Sequence, residues 1–212
     1  GTGADADMEV GDLRLDDDGS PHFTLGHDRR RVEATVPLIG RYHAMNAAAA
    51  ALAAVSLGLD LPTVASRLAT AGAARSPMRM DRQVRPDGLV VVNDAYNANP
   101  ESMAAALRAV AAIGGDRSVA VLGAMLELGA GSDEAHRRIG ELAAELGYDR
   151  VVVVGEDARA IAEGAGAVAE LVPSVDVARR TLPASLTGDE VVLVKASRGV
   201  RLERVADALL EG

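Results

Sequence analysis

The sequence predicts an α/β protein in two parts: a doubly wound, parallel-sheet domain over residues 81–212, preceded over residues 1–80 by β-hairpins and two helices. Three observations carry this reading. After Gly88, short β-branched apolar runs alternate strictly with helical stretches, the rhythm of a sheet buried on both faces. Before Pro37, short alternating runs are separated by turn residues. Between these regions, Ala73 to Arg79 carries Pro77 and breaks both patterns, which places a boundary near residue 80.

In chain order, Val10, Leu13 and Leu15, then Phe23 and Leu25, then Val32, Ala34 and Val36 alternate with polar neighbours. Asp16 to Pro21 and Gly26-His27-Asp28 separate them as turns. His43 to Leu57 is rich in Ala, Met, Leu and Val and ends at Gly58, as a helix closed by a glycine would. A second helix follows Leu61-Pro62 and is expected to end at Gly72. The predicted strands of the second part are Leu89–Val92, Val119–Leu122, Val151–Val154 and Val191–Val194. The helices between and after them cover about Glu101–Ile113, Asp133–Leu146, Asp157–Gly164, Val175–Leu186 and Val200–Leu210.

Charge and composition narrow the function classes. The net charge of −9 argues against a nucleic-acid partner, which would call for a basic face. The absence of cysteine rules out disulfides and thiolate metal sites and suits a reducing cytoplasm. The longest apolar stretch, Ala47 to Val55, falls well short of the roughly 20 residues of a membrane span, so it reads as a packed helix and no membrane partner is expected. The N-terminus has no secretory pattern and no initiating methionine, which suggests an excised piece of a longer protein or a trimmed start.

Ligands of an open parallel sheet bind beyond the carboxyl ends of its strands. The first such exit reads Asn93-Asp94-Ala95-Tyr96-Asn97-Ala98-Asn99-Pro100, where Asn99 can cap a helix and Pro100 fits its first position. Asp94 is placed to accept hydrogen bonds from ribose hydroxyls, although spacing alone favours the plainer alternative that Asp94 and Asn97 merely organise the turn. The last exit, Val194-Lys195-Ala196-Ser197-Arg198-Gly199, gathers an ammonium, a hydroxyl and a guanidinium before a predicted helix. That suits a carboxylate or phosphate, or ordinary capping with solvated charges. A third exit, Val121 to Gly129, holds two glycines and Glu127, which reads as solvent-facing.

His136 lies on a predicted helix without a metal-spaced partner and reads as a surface or packing residue. His22, His27 and His43 form no zinc pattern, and no metal site is expected. Lys195 is the chain's one lysine, and no Gly-rich loop precedes it, so the sequence contains no P-loop. The Gly-x-Gly-x-x-Gly dinucleotide fingerprint is also missing.

Taken together, these motifs resemble the Mur ligase family, and within it the ligases that add D-alanyl-D-alanine to UDP-N-acetylmuramoyl-tripeptide. Asn93 to Met103 is similar to their Asp-Asp-Ser/Ala-Tyr-Asn-Ala-Asn-Pro signature, and Val121 to Gly129 to Val-Leu-Gly-Asp-Met-x-Glu-Leu-Gly. His136 and Gly140 fall at His-x-x-x-Gly, and Val194 to Arg198 at Val-Lys-Gly/Ala-Ser-Arg. Gly40 to Ala47 resembles the Gly-x-His-x-x-x-Asn-Ala segment of the central ATPase domain, and Met78-Arg79-Met80 the arginine that closes it. Two departures stand out: Ala124 occupies a usually acidic position, and Tyr42-His43 replaces the usual histidine.

The resemblance runs from about Ala4 to the C-terminus. It implies the tail of the central ATPase domain over 1–80 and a Rossmann-like C-terminal domain over 81–212. It implies an ATP- and Mg²⁺-dependent amide ligase acting through an acyl phosphate, monomeric and cytoplasmic, with UDP-N-acetylmuramoyl-tripeptide and D-alanyl-D-alanine as substrates. Carried over residue by residue, Asn46 would contact adenine, Arg79 and Asp94 the ribose, and Asn97 would lie near the phosphates. Lys195, Ser197 and Arg198 would border the dipeptide. The P-loop, magnesium ligands and carbamylated lysine are expected upstream of Gly1, so this chain alone should be inactive and no catalytic residue is assigned within it. The alternatives are a stand-alone nucleotide- or carboxylate-binding module and a sibling Mur or folylpolyglutamate-type ligase.

Overall fold

The computed structural model describes residues 1–2, 6–70 and 77–211. The chain forms two compact units, Gly1–Arg75 and Ser76–Gly212. The division falls a few residues before the expected one, because Met78 and Met80 are hydrogen-bonded into the second unit. Gly72, the expected end of the second helix, and the Ala73–Ser76 part of the expected boundary lie outside the described residues.

In the first unit, β1 (Glu9–Leu15), β2 (Pro21–His27) and β3 (Arg30–Thr35) form an antiparallel meander. The Asp16 carboxylate organises the first turn by accepting from the backbone of Asp18 and Ser20. The second turn is Asp28-Arg29, not Gly26-His27-Asp28: Gly26 and His27 remain in β2, paired with Arg31 and Arg30. Both turn residues have positive φ, 46° and 65°, as a two-residue hairpin turn matching strand twist requires.

Helices α1 (Tyr42–Ser56) and α2 (Leu61–Ala69) follow. Ala44, Ala47, Ala48 and Ala51 of α1 are buried at helical spacing and pack in one core with Phe23, Leu25, Leu61 and Val64, so the alanine run is a packed helix as expected. Gly58 follows α1 with φ 95°, and Asp60 caps α2 through the Thr63 amide.

The second unit is built on a six-stranded sheet of order β4-β5-β9-β6-β7-β8. Its strands are β4 (Asp81–Val84), β5 (Val90–Asn93), β6 (Ser118–Leu122), β7 (Arg150–Val154), β8 (Ala169–Val172) and β9 (Val191–Lys195). Neighbouring strands are parallel except for β4, which runs antiparallel to β5. The expected parallel α/β domain is therefore present, with two edge strands, β4 and β8, beyond the four anticipated.

The helices are α3 (Pro100–Gly114), α4 (Ser132–Glu145), α5 (Arg159–Ala165), α6 (Val175–Thr181) and α7 (Glu203–Glu211). Val91, Val119, Val121, Val152, Val192 and Val194 pack with Ala178 of α6, Leu182 just after it, and Val205 and Leu209 of α7. Helices α3 and α5 contact β6, β9 and β7, and alternation along the strands supplies the residues between. A Cβ on Gly140 would lie 2.0 Å from the Ile161 carbonyl oxygen, and one on Gly164 2.0 Å from that of Arg137, so α4 and α5 cross backbone to backbone.

Two corrections concern helix ends. The last α-helix begins at Glu203, not Val200. Arg198–Val200 is a single 3-10 turn, closed by Arg201 in the left-handed region at φ 60°. The helix expected over Val175–Leu186 stops at Thr181 and is followed by a 3-10 turn over Pro183–Ser185.

Candidate active site

The strand order creates the site. The chain leaves β5, passes through α3 to β6, builds outward to β8, and returns to insert β9 between β5 and β6. The exits of β5, β9 and β6 therefore lie side by side where the sheet changes direction, the usual crevice of an open α/β sheet. Backbone bonds bind the three together: Asp94 N donates to Val194 O at 2.8 Å, Gly123 N to Lys195 O at 3.0 Å, and Ser197 N to Ala124 O at 3.0 Å.

Asp94 and Lys195, expected to serve different ligands, are bonded to each other. The Lys195 side chain is only 2% exposed, and its ammonium donates to Asp94 Oδ2 at 2.6 Å and to the Asn97 carbonyl oxygen at 2.8 Å. The other Asp94 oxygen accepts from the Met80 amide at 2.9 Å. Burial pushes the Asp94 carboxyl above the ordinary range, opposed by the Lys195 ammonium, the Met80 amide and Arg79.

Arg79 lies between Met78 and Met80, both left-handed at φ 60° and 50°. Tyr96 N donates to Met78 O, and the Arg79 guanidinium sits 4.0 Å from the centre of the Tyr96 ring. Asn97 is exposed, and its side chain accepts from the Ala98 amide. Asn99 caps α3 reciprocally with Ser102, with Pro100 at the helix start, as the sequence indicated. Asn46 lies on the exposed side of α1 in the first unit.

On the β9 exit, Ser197 is a buried bridge: its Oγ accepts from the Leu126 amide at 2.9 Å and donates to the Ala98 carbonyl at 3.3 Å. Arg198 is exposed, and its Nη1 contacts Glu203 Oε1 at 2.9 Å and Met78 Sδ at 3.1 Å. Because α7 starts only at Glu203, Lys195 and Arg198 do not bracket an α-helix N-terminus. The helix-dipole contribution to an anion site at this turn is therefore withdrawn.

His136 is 1% exposed and pins the β6 exit. Its Nε2 accepts from the Met125 amide at 2.8 Å, and Nδ1 lies 2.8 Å from the Ser132 carbonyl oxygen, a pattern that fits the tautomer protonated at Nδ1. It is a packing histidine, as its isolation from other ligands suggested. Sequence reasoning did not anticipate the Tyr96–Arg79 stack or the Met78 and Met80 contacts. Met78 and Met80 carry no chemical signal of their own, since it is their backbone that is used.

The model of the Mur ligase glutamate ligase domain matches residues 78–198, more than half of the chain. The chain belongs to the Mur ligase family. It is 39% identical to a UDP-N-acetylmuramoyl-tripeptide–D-alanyl-D-alanine ligase of Mycobacterium tuberculosis, across 96% of this chain and 44% of that protein. A crystal structure of MurF from Acinetobacter baumannii superposes with a TM-score of 0.87 at 27% identity, covering 99% of this chain and 46% of that one. A MurF ligase from Thermotoga maritima, solved in complex with ADP, gives 0.79 at 26% identity, covering 97% and 46%. The chain thus spans a little under half the length of these relatives. Within the Mur pattern, His136 and Gly140 are structural, one securing a loop and the other a helix crossing.

Proposed function

We propose that this chain is part of an ATP-dependent amide ligase that joins D-alanyl-D-alanine to UDP-N-acetylmuramoyl-tripeptide. The observation that carries the reading is the convergence of the three resembling motifs, at Asp94–Asn97, Gly123–Gly129 and Lys195–Arg198, on adjacent strand exits. Gly1–Arg75 is assigned to the tail of the central ATPase domain and Ser76–Gly212 to the C-terminal domain. The reaction is assigned to the cytoplasm and to a monomer without a nucleic-acid partner, in keeping with the net charge of −9. Among the described residues no helix is long and apolar enough to cross a membrane.

In this reading the tripeptide carboxylate attacks the γ-phosphorus of ATP, releasing ADP and leaving an acyl phosphate. The dipeptide amine then attacks the acyl carbon, expelling phosphate and losing a proton as the amide forms. Asn46, Arg79, Asp94 and Asn97 serve the nucleotide, with Asp94 presenting its remaining lone pairs to the ribose hydroxyls. Ser197 and Arg198 border the dipeptide side, where Arg198 is the exposed cation, while the Lys195 ammonium is taken up by Asp94 and the Asn97 carbonyl oxygen. Mg²⁺ would offset phosphate charge. Among the described residues no three His, Asp or Glu side chains gather as a metal cluster, and the resemblance places the magnesium ligands upstream of Gly1. The sequence also contains no P-loop, so the clamp on the transferred phosphate is not supplied here.

The test is ADP release with muramoyl tripeptide, D-alanyl-D-alanine and Mg²⁺, by the full-length polypeptide and by the 212-residue chain. The full-length protein should turn over only with both substrates, and the chain alone should be silent. Robust turnover by the chain alone would refute its assignment as one part of the enzyme. A silent full-length protein would refute the ligase reading.

A further inference from the structure

We propose that Lys195 is a positioning residue for the nucleotide side of the cleft, holding the Asp94–Asn97 turn in place, and not a ligand of the incoming amine substrate. The inference rests on the assignment of Asp94 and Asn97 to the nucleotide.

The geometry separates the two roles. A lysine that grips a substrate carboxylate must present its ammonium to the solvent-filled cleft. The Lys195 side chain is 2% exposed, and its ammonium already bonds Asp94 Oδ2 and the Asn97 carbonyl oxygen. These acceptors stand at the two ends of the turn assigned to the nucleotide, so one ammonium fixes the whole turn. Asp94 is held from both sides, by Lys195 on Oδ2 and by the Met80 amide on Oδ1, which sets the plane of the carboxylate. A carboxylate oxygen can accept more than one bond, and the Asp94 side chain remains 14% exposed, so a fixed edge is available to a pair of ribose hydroxyls.

Residue type agrees with this placement. The chain has 22 basic residues of which one is lysine, leaving 22 − 1 = 21 arginines. A slot between a carboxylate oxygen and the carbonyl at the other end of the turn suits a compact ammonium with tetrahedral donors, whose geometry a planar guanidinium does not reproduce. Strand insertion explains how the lysine arrives there. Asn93 pairs with Val194 in register, so the residue after Val194 emerges level with Asp94.

The experiment uses the full-length ligase and three variants, Lys195→Met, Lys195→Gln and Lys195→Arg, with separate KM values for ATP, tripeptide and dipeptide. In Lys195→Met the KM for ATP should rise about tenfold or more, the loss of a charged hydrogen-bonding partner, while the dipeptide KM stays within about twofold. Lys195→Gln keeps a neutral donor and should recover part of the ATP effect. Lys195→Arg should resemble Met more than wild type. Should the Met variant fail to fold, the Gln and Arg variants carry the same comparison.

A rise in dipeptide KM with ATP KM unchanged would make Lys195 a substrate ligand and overturn the inference. So would unchanged KM values together with a kcat that falls only in step with the folded fraction, the mark of a purely structural residue. A wild-type enzyme without ligase activity would defeat the functional reading itself, whereas a variant that keeps the wild-type ATP KM defeats this inference alone.

Discussion

The Lys195 ammonium and the Asp94 carboxylate meet at 2.6 Å across the ends of two adjacent strands, β9 and β5, in a place where neither is well hydrated. Removing one member of a buried pair leaves the other charge uncompensated, which costs about 3–5 kcal/mol, whereas replacing both by neutral groups is often neutral or stabilising. Lys195→Met should therefore destabilise the second unit by about that amount. Asp94→Asn combined with Lys195→Met should recover most of the loss. Denaturant unfolding of the four members of this cycle measures it. A double variant as unstable as the single would show that packing of the lysine methylenes, not charge, holds the strand ends.

The crossing of α4 and α5 makes a second demand. At Gly140 a methyl group would sit 2.0 Å from the Ile161 carbonyl oxygen and 2.6 Å from the Ala165 nitrogen, both backbone atoms that no rotamer change can move aside. Gly140→Ala should separate the helices and destabilise by about 3 kcal/mol or more, at or above the upper end of ordinary overpacking. Gly131→Ala, in open space just before α4, is the control and should change stability by less than about 0.5 kcal/mol. Equal effects at the two sites would mean that the backbones do not cross this closely.

In the first unit, burial lowers the His43 pKa from 6.5 to about 4, and its Nε2 has no hydrogen-bond partner among the described residues. Between these two values the unfolded chain binds a proton that the native chain refuses. The stability His43 contributes is therefore present above pH about 6.5 and is lost as pH falls toward about 4. The unfolding temperature of this unit should drop between pH 7.5 and pH 5, and His43→Gln should flatten that slope while the carboxylates remain as they were. An unchanged slope in the variant would assign the acid sensitivity to other groups.

The central strands were legible in the sequence because β6, β7 and β9 are buried on both faces and read as uninterrupted valine-rich runs. The edge strands were not. Asp81–Val84 and Ala169–Val172 are partly exposed, and four residues such as Asp-Arg-Gln-Val carry neither an apolar run nor a clear alternation. The late start of α7 was hidden for a different reason: Arg201 adopts a left-handed conformation that arginine does not signal. The site residues were legible as types and as neighbours in the chain. Their partners were not, because the pairing of Lys195 with Asp94 depends on β9 entering between β5 and β6, a matter of topology that strand periodicity does not encode.

Arg198 is where the sequence-based expectation and the structure can be weighed against each other most directly. The expectation combined its guanidinium with the Lys195 charge and a helix dipole. In the structure Lys195 is neutralised by Asp94, α7 starts at Glu203, and Arg198 itself is paired with Glu203 through Nη1. What remains is a side chain 54% exposed, with further donors on its planar fork to meet a carboxylate. On the proposed ligase reading, Arg198→Ala in the full-length protein should raise the dipeptide KM by about tenfold, close to 1.5 kcal/mol and at the low end for a charged hydrogen bond, because solvent screens this position. ATP KM should hardly change. Glu203→Gln removes the competing carboxylate and should leave the dipeptide KM equal to or below wild type. If Arg198→Ala instead weakens ATP and spares the dipeptide, the Ser197-Arg198 turn belongs to the nucleotide. The amine substrate would then have to be held by residues outside this turn.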